Sequence, residues 1–210
     1  MRRSMVKWIL VPLVVGVAGC SAAEDGTATG GVATLPAVAS SDVVTVPENL
    51  DLGQYLEEPC SALNPEVLKS HGYSAEGLDV ADTGKTGQGI AELSGPSCGW
   101  SPSDELDTRL LTITLTALSS AQEDILKGPK KYHSQGLIEL WEETTVSGYP
   151  GGYWGIRDKR SRGDCSIVVA VSNDSMFTVN ANSYWEQPDR ACSDVKDFAV
   201  DLIENLKEGA

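Results

Sequence analysis

The sequence has few of the residues that usually reveal an activity. It contains two histidines, His71 and His133, and neither has a second histidine or a cysteine at ligand spacing. No two cysteines are separated by the two to four residues that structural zinc sites usually show. We therefore predict no metal, no cofactor and no catalytic activity.

The sequence also lacks an apolar run long enough to span a bilayer, which takes about 20 apolar residues. The N-terminal segment Trp8–Ala18 is uncharged but shorter than that, and it follows Arg2, Arg3 and Lys7. A basic start followed by a short apolar stretch is typical of a secretory signal. We therefore predict a signal peptide at residues 1–19.

The end of this segment, Val17-Ala18-Gly19-Cys20, resembles a bacterial lipobox. In lipoproteins the cysteine receives a diacylglycerol and the signal is cut before it, and two or more acyl chains (palmitate, for example) anchor stably. We predict that Cys20 carries a lipid anchor on the outer face of the cell membrane. The sequence from Arg2 to Lys7 also resembles a twin-arginine motif, so the export route stays open.

Positive charge is scarce. Without residues 1–19 the chain has 13 Lys and Arg against 30 Asp and Glu, a net charge of −17. Such a chain repels phosphate backbones, and nucleic acid is therefore excluded as a partner.

The segment after Cys20 consists mainly of small and polar residues and has no aromatic side chain up to residue 41. It buries too little apolar surface to offset the entropy of ordering it. We predict a flexible tether at residues 20–49 and a single extracytoplasmic domain at residues 50–210.

Several segments of this domain alternate as strands do. In Leu110–Ala117, every second side chain is apolar and threonines lie between them, which indicates a half-buried strand. Turn-forming residues separate Ser166–Val171 from Met176–Asn182 and predict a hairpin. Further strands are predicted at Leu137–Thr144 and Tyr153–Arg157.

Helical spacing is clearest near the C-terminus, where Val195, Phe198, Leu202 and Leu206 repeat every three or four residues. A second helix is predicted from Asn64 to Gly72 and a short third at residues 120–127. The fold class is then α+β, with an antiparallel sheet that has one face covered by helices and the other partly wet.

Four cysteines remain besides Cys20, and in an exported protein they suggest two disulfides. Cys165 begins a strand whose hairpin partner ends beside it, and Cys192 follows at the start of the last helix. We prefer Cys165–Cys192 with Cys60–Cys98, and Cys60–Cys192 is the alternative.

These features together resemble a known family. Glu58-Pro59-Cys60-Ser61-Ala62-Leu63-Asn64-Pro65-Glu66, Cys98-Gly99-Trp100, Val146-Ser147-Gly148-Tyr149, Asp164-Cys165-Ser166-Ile167-Val168-Val169 and Pro188-Asp189-Arg190-Ala191-Cys192 follow the lipobox in order. The chain resembles an actinobacterial lipoprotein family with a domain of unknown function, which includes mycobacterial LprB- and LprC-like lipoproteins. The resemblance implies a place in the envelope of a high-GC Gram-positive organism, two disulfides and a Mog1/PsbP-like domain. It provides no catalytic residues.

One stretch is rich in glycine and aromatic residues and is a candidate binding site. Tyr149, Tyr153 and Trp154, with Trp100 or Trp185, are the residues that an aromatic platform for a sugar or lipid ring would use. Ordinary hairpin chemistry explains the same composition.

The function that we expect is a non-catalytic binding or accessory module of the cell envelope. It binds a small or lipidic ligand between sheet and helices, or docks an envelope protein. The alternative is an envelope hydrolase, which requires His71 or His133 within hydrogen-bond reach of an acid and a serine.

Overall fold

The computed structural model describes residues 45–119 and 124–209. The predicted signal peptide, Cys20 and the predicted tether as far as residue 44 lie outside these residues. In the part that is described, no helix has both the length and the hydropathy needed to cross a membrane.

Seven strands of the described chain form one antiparallel sheet in the order β1-β2-β3-β7-β6-β5-β4. The strands are β1 Leu78–Asp79, β2 Ser97–Trp100, β3 Leu110–Ala117, β4 Leu140–Val146, β5 Tyr149–Gly155, β6 Cys165–Ala170 and β7 Ser175–Asn182.

Five α-helices accompany the sheet in the described residues. They are α1 Gly53–Glu57, α2 Pro65–Ser70, α3 Lys85–Ser94, α4 Lys127–Ser134 and α5 Pro188–Glu208. Proline at the first helical position starts both α2 and α5. The side chain of Asn64 caps α2 by accepting a hydrogen bond from the backbone N–H of Glu66.

The two faces of the sheet differ in composition because side chains alternate along each strand. On the inner face, Leu111, Ile113 and their neighbours on β6 and β7 are fully buried in one core with the apolar stripe of α5. On the outer face, Thr112 and Thr114 are half-buried. Leu126, just before α4, packs there in a small second cluster. The predicted α+β fold is therefore confirmed.

Three predicted boundaries were wrong. Strand β4 begins at Leu140 because the N–H groups of Leu137 and Ile138 bond back to the Tyr132 carbonyl oxygen of α4. Strand β5 begins at Tyr149 and includes Gly151, where a Cβ would collide with the Val168 carbonyl oxygen. Of the helix predicted at residues 120–127, residues 120–123 lie outside the described chain; residues 124–126 are not helical, and helix α4 starts at Lys127.

The cysteines pair as Cys60–Cys98 and Cys165–Cys192, with Cα–Cα distances of 5.0 and 5.2 Å. The preferred connectivity is thus confirmed and the Cys60–Cys192 alternative is wrong. The second bridge joins the start of β6 to the first turn of α5 and fixes the end of the sheet where the candidate site lies.

Candidate functional site

A buried carboxylate, Asp194, lies at the centre of a polar cluster where α5 begins. It is 3% exposed. Its Oδ2 accepts hydrogen bonds from the Tyr184 hydroxyl at 2.7 Å and from Nη2 of Arg190 at 3.3 Å. Its Oδ1 lies 3.2 Å from Nδ1 of His71. The charge is therefore compensated from both sides, as a buried carboxylate requires.

Two buried tyrosines extend the cluster into the core. The Tyr73 and Tyr184 hydroxyl oxygens are 2.6 Å apart. Because Tyr184 donates its proton to Asp194, Tyr73 donates to Tyr184. Burial raises the pKa of Tyr73 to about 12. Burial, followed by the hydrogen bond to Tyr73, also raises the pKa of Tyr184. Both phenols are therefore neutral donors at neutral pH.

Arg109, the last residue before β3, packs against both tyrosines. Its Cζ lies 5.2 Å from each ring centroid. Nε and Nη2 each lie 2.7 Å from Oδ2 of Asp107. Burial lowers the pKa of Arg109, but the hydrogen bond to Asp107 and the neighbouring charges raise it more, so the net direction is upward. Cation–π contact and ion pairing together hold this guanidinium in one position.

His71 reaches the cluster from α2, of which it is the C-cap residue. Its ring packs against Phe198 of α5 with the centroids 4.7 Å apart. His71 lies at the end of the helix predicted from Asn64 to Gly72, as its C-cap position shows. The ring, however, is turned inward, with 18% of the side chain exposed. His133 is exposed in α4, with Nδ1 3.3 Å from the Ile138 carbonyl oxygen.

An open cleft of about 490 Å³ lies beside the cluster. Its walls are Asp104 and residues 106–109 before β3, residues 183–187 after β7, and Arg190. Ser183 has a φ of 67°, and its N–H is held by Asp164 at 2.9 Å. After this bend Tyr184 is buried, whereas Trp185 is 61% exposed at the cleft.

The charged groups of the cleft largely neutralise one another. Arg109 is paired with Asp107, and Arg190 is paired with Asp194. Asp104 and Glu186 add two carboxylates to the wall. Because both arginines are already paired and the wall carries further carboxylates, the cleft has no excess positive charge with which to bind an anion. The cleft offers an indole face with both hydrogen-bond donors and acceptors, a composition that suits a polar ligand.

The structure separates the five aromatic residues that the sequence grouped. Tyr149 is fully buried in the main core, and Tyr153 packs partly against it. Trp154 lies on the opposite face of β5, in the small outer cluster. Trp100 is fully buried in β2. They do not form one platform, and of the five only Trp185 lines the cleft.

For the hydrolase alternative, the described residues place an acid beside a histidine but no serine beside either histidine. His71 has Asp194, yet no serine hydroxyl in the described residues hydrogen-bonds either histidine. The sequence does contain a Gly-x-Ser-x-Gly pattern at Gly95–Gly99. Its Ser97 is 4% exposed in β2, where its hydroxyl bonds the Gly95 carbonyl at 3.1 Å and Thr114 at 3.0 Å. It therefore lacks the exposed strand-to-helix turn of a nucleophile elbow.

Sequence reasoning missed most of this cluster. Only the four-residue spacing of Arg190 and Asp194, which places them on one helix face, was visible. Arg109 and Tyr184 come together because β3 begins where β7 ends, with Leu110 opposite Asn182. Tyr73 joins them through its antiparallel bridge to Pro102. No local pattern carries that information.

Comparison with known proteins gives one match. A family model described as "Protein of unknown function (DUF3558)" matches residues 15–205. No curated protein and no solved structure matches the chain.

Proposed function

The chain belongs to the DUF3558 family, and we propose that it is an LprB/LprC-like, membrane-anchored lipoprotein that binds a neutral polyhydroxylated ligand in its cleft. It acts outside the cell membrane and does not transform the ligand. The observation that carries the binding proposal is the cleft, whose arginines are already paired and whose wall includes the exposed indole of Trp185.

Cysteine use supports the anchor. The chain has five cysteines, and four of them form the two disulfides. Cys20 is the remaining cysteine, and it is the last residue of the lipobox-like sequence Val17–Cys20. Two disulfides are also consistent with an oxidising compartment outside the cytoplasm.

The anchor is tested by Cys20→Ala in the native host. We expect loss of labelling by a palmitate analogue and release of the protein into the aqueous fraction. Ser21→Ala, one residue further along, is the control and should keep both label and membrane retention. An unlabelled parent chain, or a Cys20→Ala variant still in the membrane fraction, contradicts the anchor.

The choice of ligand follows from the chemistry of the cleft wall. A sugar ring has an apolar C–H face that stacks on an indole and a rim of hydroxyls that both donate and accept. Trp185 offers the indole face, and Gln187, Asp104 and Arg190 offer polar groups. The space between the sheet and α5 is packed with fully buried side chains, so the lipidic ligand expected there from the sequence has a weaker case than the cleft.

An array of neutral envelope oligosaccharides tests this binding, with the mature chain carrying Cys20→Ser for solubility. Trp185→Ala should weaken binding at least about tenfold, as loss of an aromatic anchor in a binding site does. Ile156→Ala, which is 70% exposed and outside the cleft, is the matched control and should change nothing. Binding that is indifferent to Trp185→Ala, or restricted to charged glycans, contradicts the proposal.

The absence of catalysis is tested separately with a fluorophosphonate probe for activated serines. We expect no labelling of the purified chain. Labelling that disappears in His71→Gln, or in Ser97→Ala, favours the hydrolase alternative instead.

A further inference from the structure

Three potential metal ligands meet where α2 ends against α5. His71, Asp194 and Asp197 each place one ligand atom within 4.8 Å of the others. We infer that these three side chains form a binding site for a divalent cation of the zinc type. This site goes beyond the proposed sugar binding and does not depend on it.

The distances fit a shared cation. Nδ1 of His71 and Oδ1 of Asp194 are 3.2 Å apart. Bonds of about 2.0–2.1 Å to one ion from both atoms subtend about 100° at the ion, close to a tetrahedral angle. Asp197 lies three residues after Asp194 on the same helix face. One oxygen of its exposed carboxylate lies within 4.8 Å of the other two ligand atoms and would have to move closer to them to share an ion.

The surroundings orient Asp194 for this role. The Tyr184 hydroxyl and the Arg190 guanidinium both bond Oδ2, which leaves Oδ1 directed at His71. Outer hydrogen bonds of this kind fix the direction of a ligating carboxylate. Arg190 also opposes a cation electrostatically, but it is 45% exposed and therefore partly screened.

An ion pair accounts for Asp194 and His71, and Asp197 is an exposed acid beside them whose carboxylate is open to a further ligand. Within the described chain, the Asp197 carboxylate has no hydrogen bond or ion pair with any other group. Three ligands with an open position, one of them imidazole, suit zinc. Calcium requires six to eight oxygens and magnesium an oxygen octahedron, which this set does not supply.

Because the chain has two histidines, the imidazole signals of each can be followed by NMR during a ZnCl₂ titration, which tests the site directly. The mature chain with Cys20→Ser is first stripped with a chelator. We expect the His71 ring signals to shift at stoichiometric zinc while those of exposed His133 stay in place. Equal shifts of both rings, or a shift of His133 alone, overturn the site.

Affinity measured by competition with a zinc-binding dye provides the second readout. His71→Gln and Asp197→Asn should each weaken binding at least about tenfold. Asp197 is exposed, so its variant retains the fold. Arg190→Gln should tighten binding because it removes a nearby positive charge. The controls His133→Gln and Asp189→Asn, the latter exposed on the same helix, should bind like the parent. Parent-like affinity in His71→Gln and Asp197→Asn overturns the inference.

Discussion

Two carboxylates of helix α5, Asp194 and Asp201, are both buried, lie seven residues apart and contact different kinds of partner. They are 3% and 7% exposed. Asp201 Oδ2 accepts the backbone N–H of Asn64 at 2.8 Å, and Asp194 pairs with His71 at 3.2 Å. The segment from Asn64 to His71, which contains α2, is therefore held at both of its ends by α5.

The two ends of the segment from Asn64 to His71 differ in the groups that their aspartate contacts. Asp201 bonds a neutral backbone group, and within the described residues it has no ion pair. Burial raises the pKa of Asp201, only partly offset by the Asn64 N–H. Asp194 instead faces an arginine and a histidine beside an open cleft. A buried acid with backbone partners positions a helix, whereas one with exchangeable side-chain partners is available for binding.

The largest expected effects on the free energy of unfolding come from removing the disulfides that lie near the two ends of this segment. Cys60–Cys98 closes 38 residues near the Asp201 end, and Cys165–Cys192 closes 27 beside Asp194. Removing either pair as a double Ala variant should lower the free energy of unfolding by about 3.5–4 kcal/mol from loop entropy. Urea unfolding measures this loss.

Zinc affinity distinguishes the two disulfide variants. Only Cys165→Ala/Cys192→Ala frees the first turn of α5, so only this variant should weaken zinc binding. Equal weakening in Cys60→Ala/Cys98→Ala would show that the two ends are not independent.

Next in size is Asp194→Ala, which leaves Tyr184 without an acceptor and removes the charge that pairs Arg190 and His71. We expect a loss of about 3 kcal/mol in the free energy of unfolding, because a buried network is broken by deleting one partner. Urea unfolding at neutral pH measures it. Asp194→Asn keeps an acceptor for Tyr184 and should lose less; the reverse order would contradict the network.

The elements that the sequence predicted are those with a local pattern. Strand β3, the β6–β7 hairpin and helix α5 each show their hydrophobic period within one segment. Cys165 and Cys192 lie at the ends of these predicted elements, which is why their pairing could be predicted. Helix α3 was not predicted because Gly87 and Gly89 disfavour a helix. Gly87 is needed there, since a Cβ would lie against the Val80 carbonyl oxygen.

The candidate site was harder to predict than the fold. Tyr73, Arg109, Tyr184 and Asp194 lie in four different segments, and long-range pairing brings them together: the bridge between Tyr73 and Pro102, the pairing of β3 with β7, and the packing of α5. Trp185 was among the proposed aromatic residues, but its exposure at a cleft depends on the bend at Ser183. Such long-range placement leaves no periodic trace in a single sequence.

A smaller effect is expected for Tyr73→Phe. It removes the hydrogen bond that Tyr73 donates to Tyr184 while keeping the ring beside Phe198 and Arg109. One buried hydrogen bond contributes about 1 kcal/mol. Tyr149→Phe is the control at a buried ring whose hydroxyl contact, to Glu48 at 3.5 Å, is long. Urea unfolding should show a smaller loss for the control; equal losses would mean that the Tyr73–Tyr184 bond adds nothing.

The smallest effect, and the one with a distinct pH dependence, is expected for Asp201→Asn. The amide oxygen still accepts the Asn64 N–H, and the variant no longer buries a charge. Because the folded-state pKa of Asp201 is raised, the folded parent binds its proton more tightly than the unfolded chain does. The parent is therefore stabilised by Asp201 protonation as pH falls through the raised pKa toward the unfolded value of about 3.9.

Asp201→Asn should accordingly be more stable than the parent by about 0.5 kcal/mol above the raised pKa, and this advantage should shrink as pH falls toward the unfolded value. Urea midpoints measured from pH 4 to pH 8 test the trend. Asp194→Asn in the same series should be destabilised at neutral pH, because it loses the ion pairs with His71 and Arg190. If Asp201→Asn were also destabilised there, Asp201 would depend on its charge as Asp194 does, and the contrast between the two ends of α2 would fail.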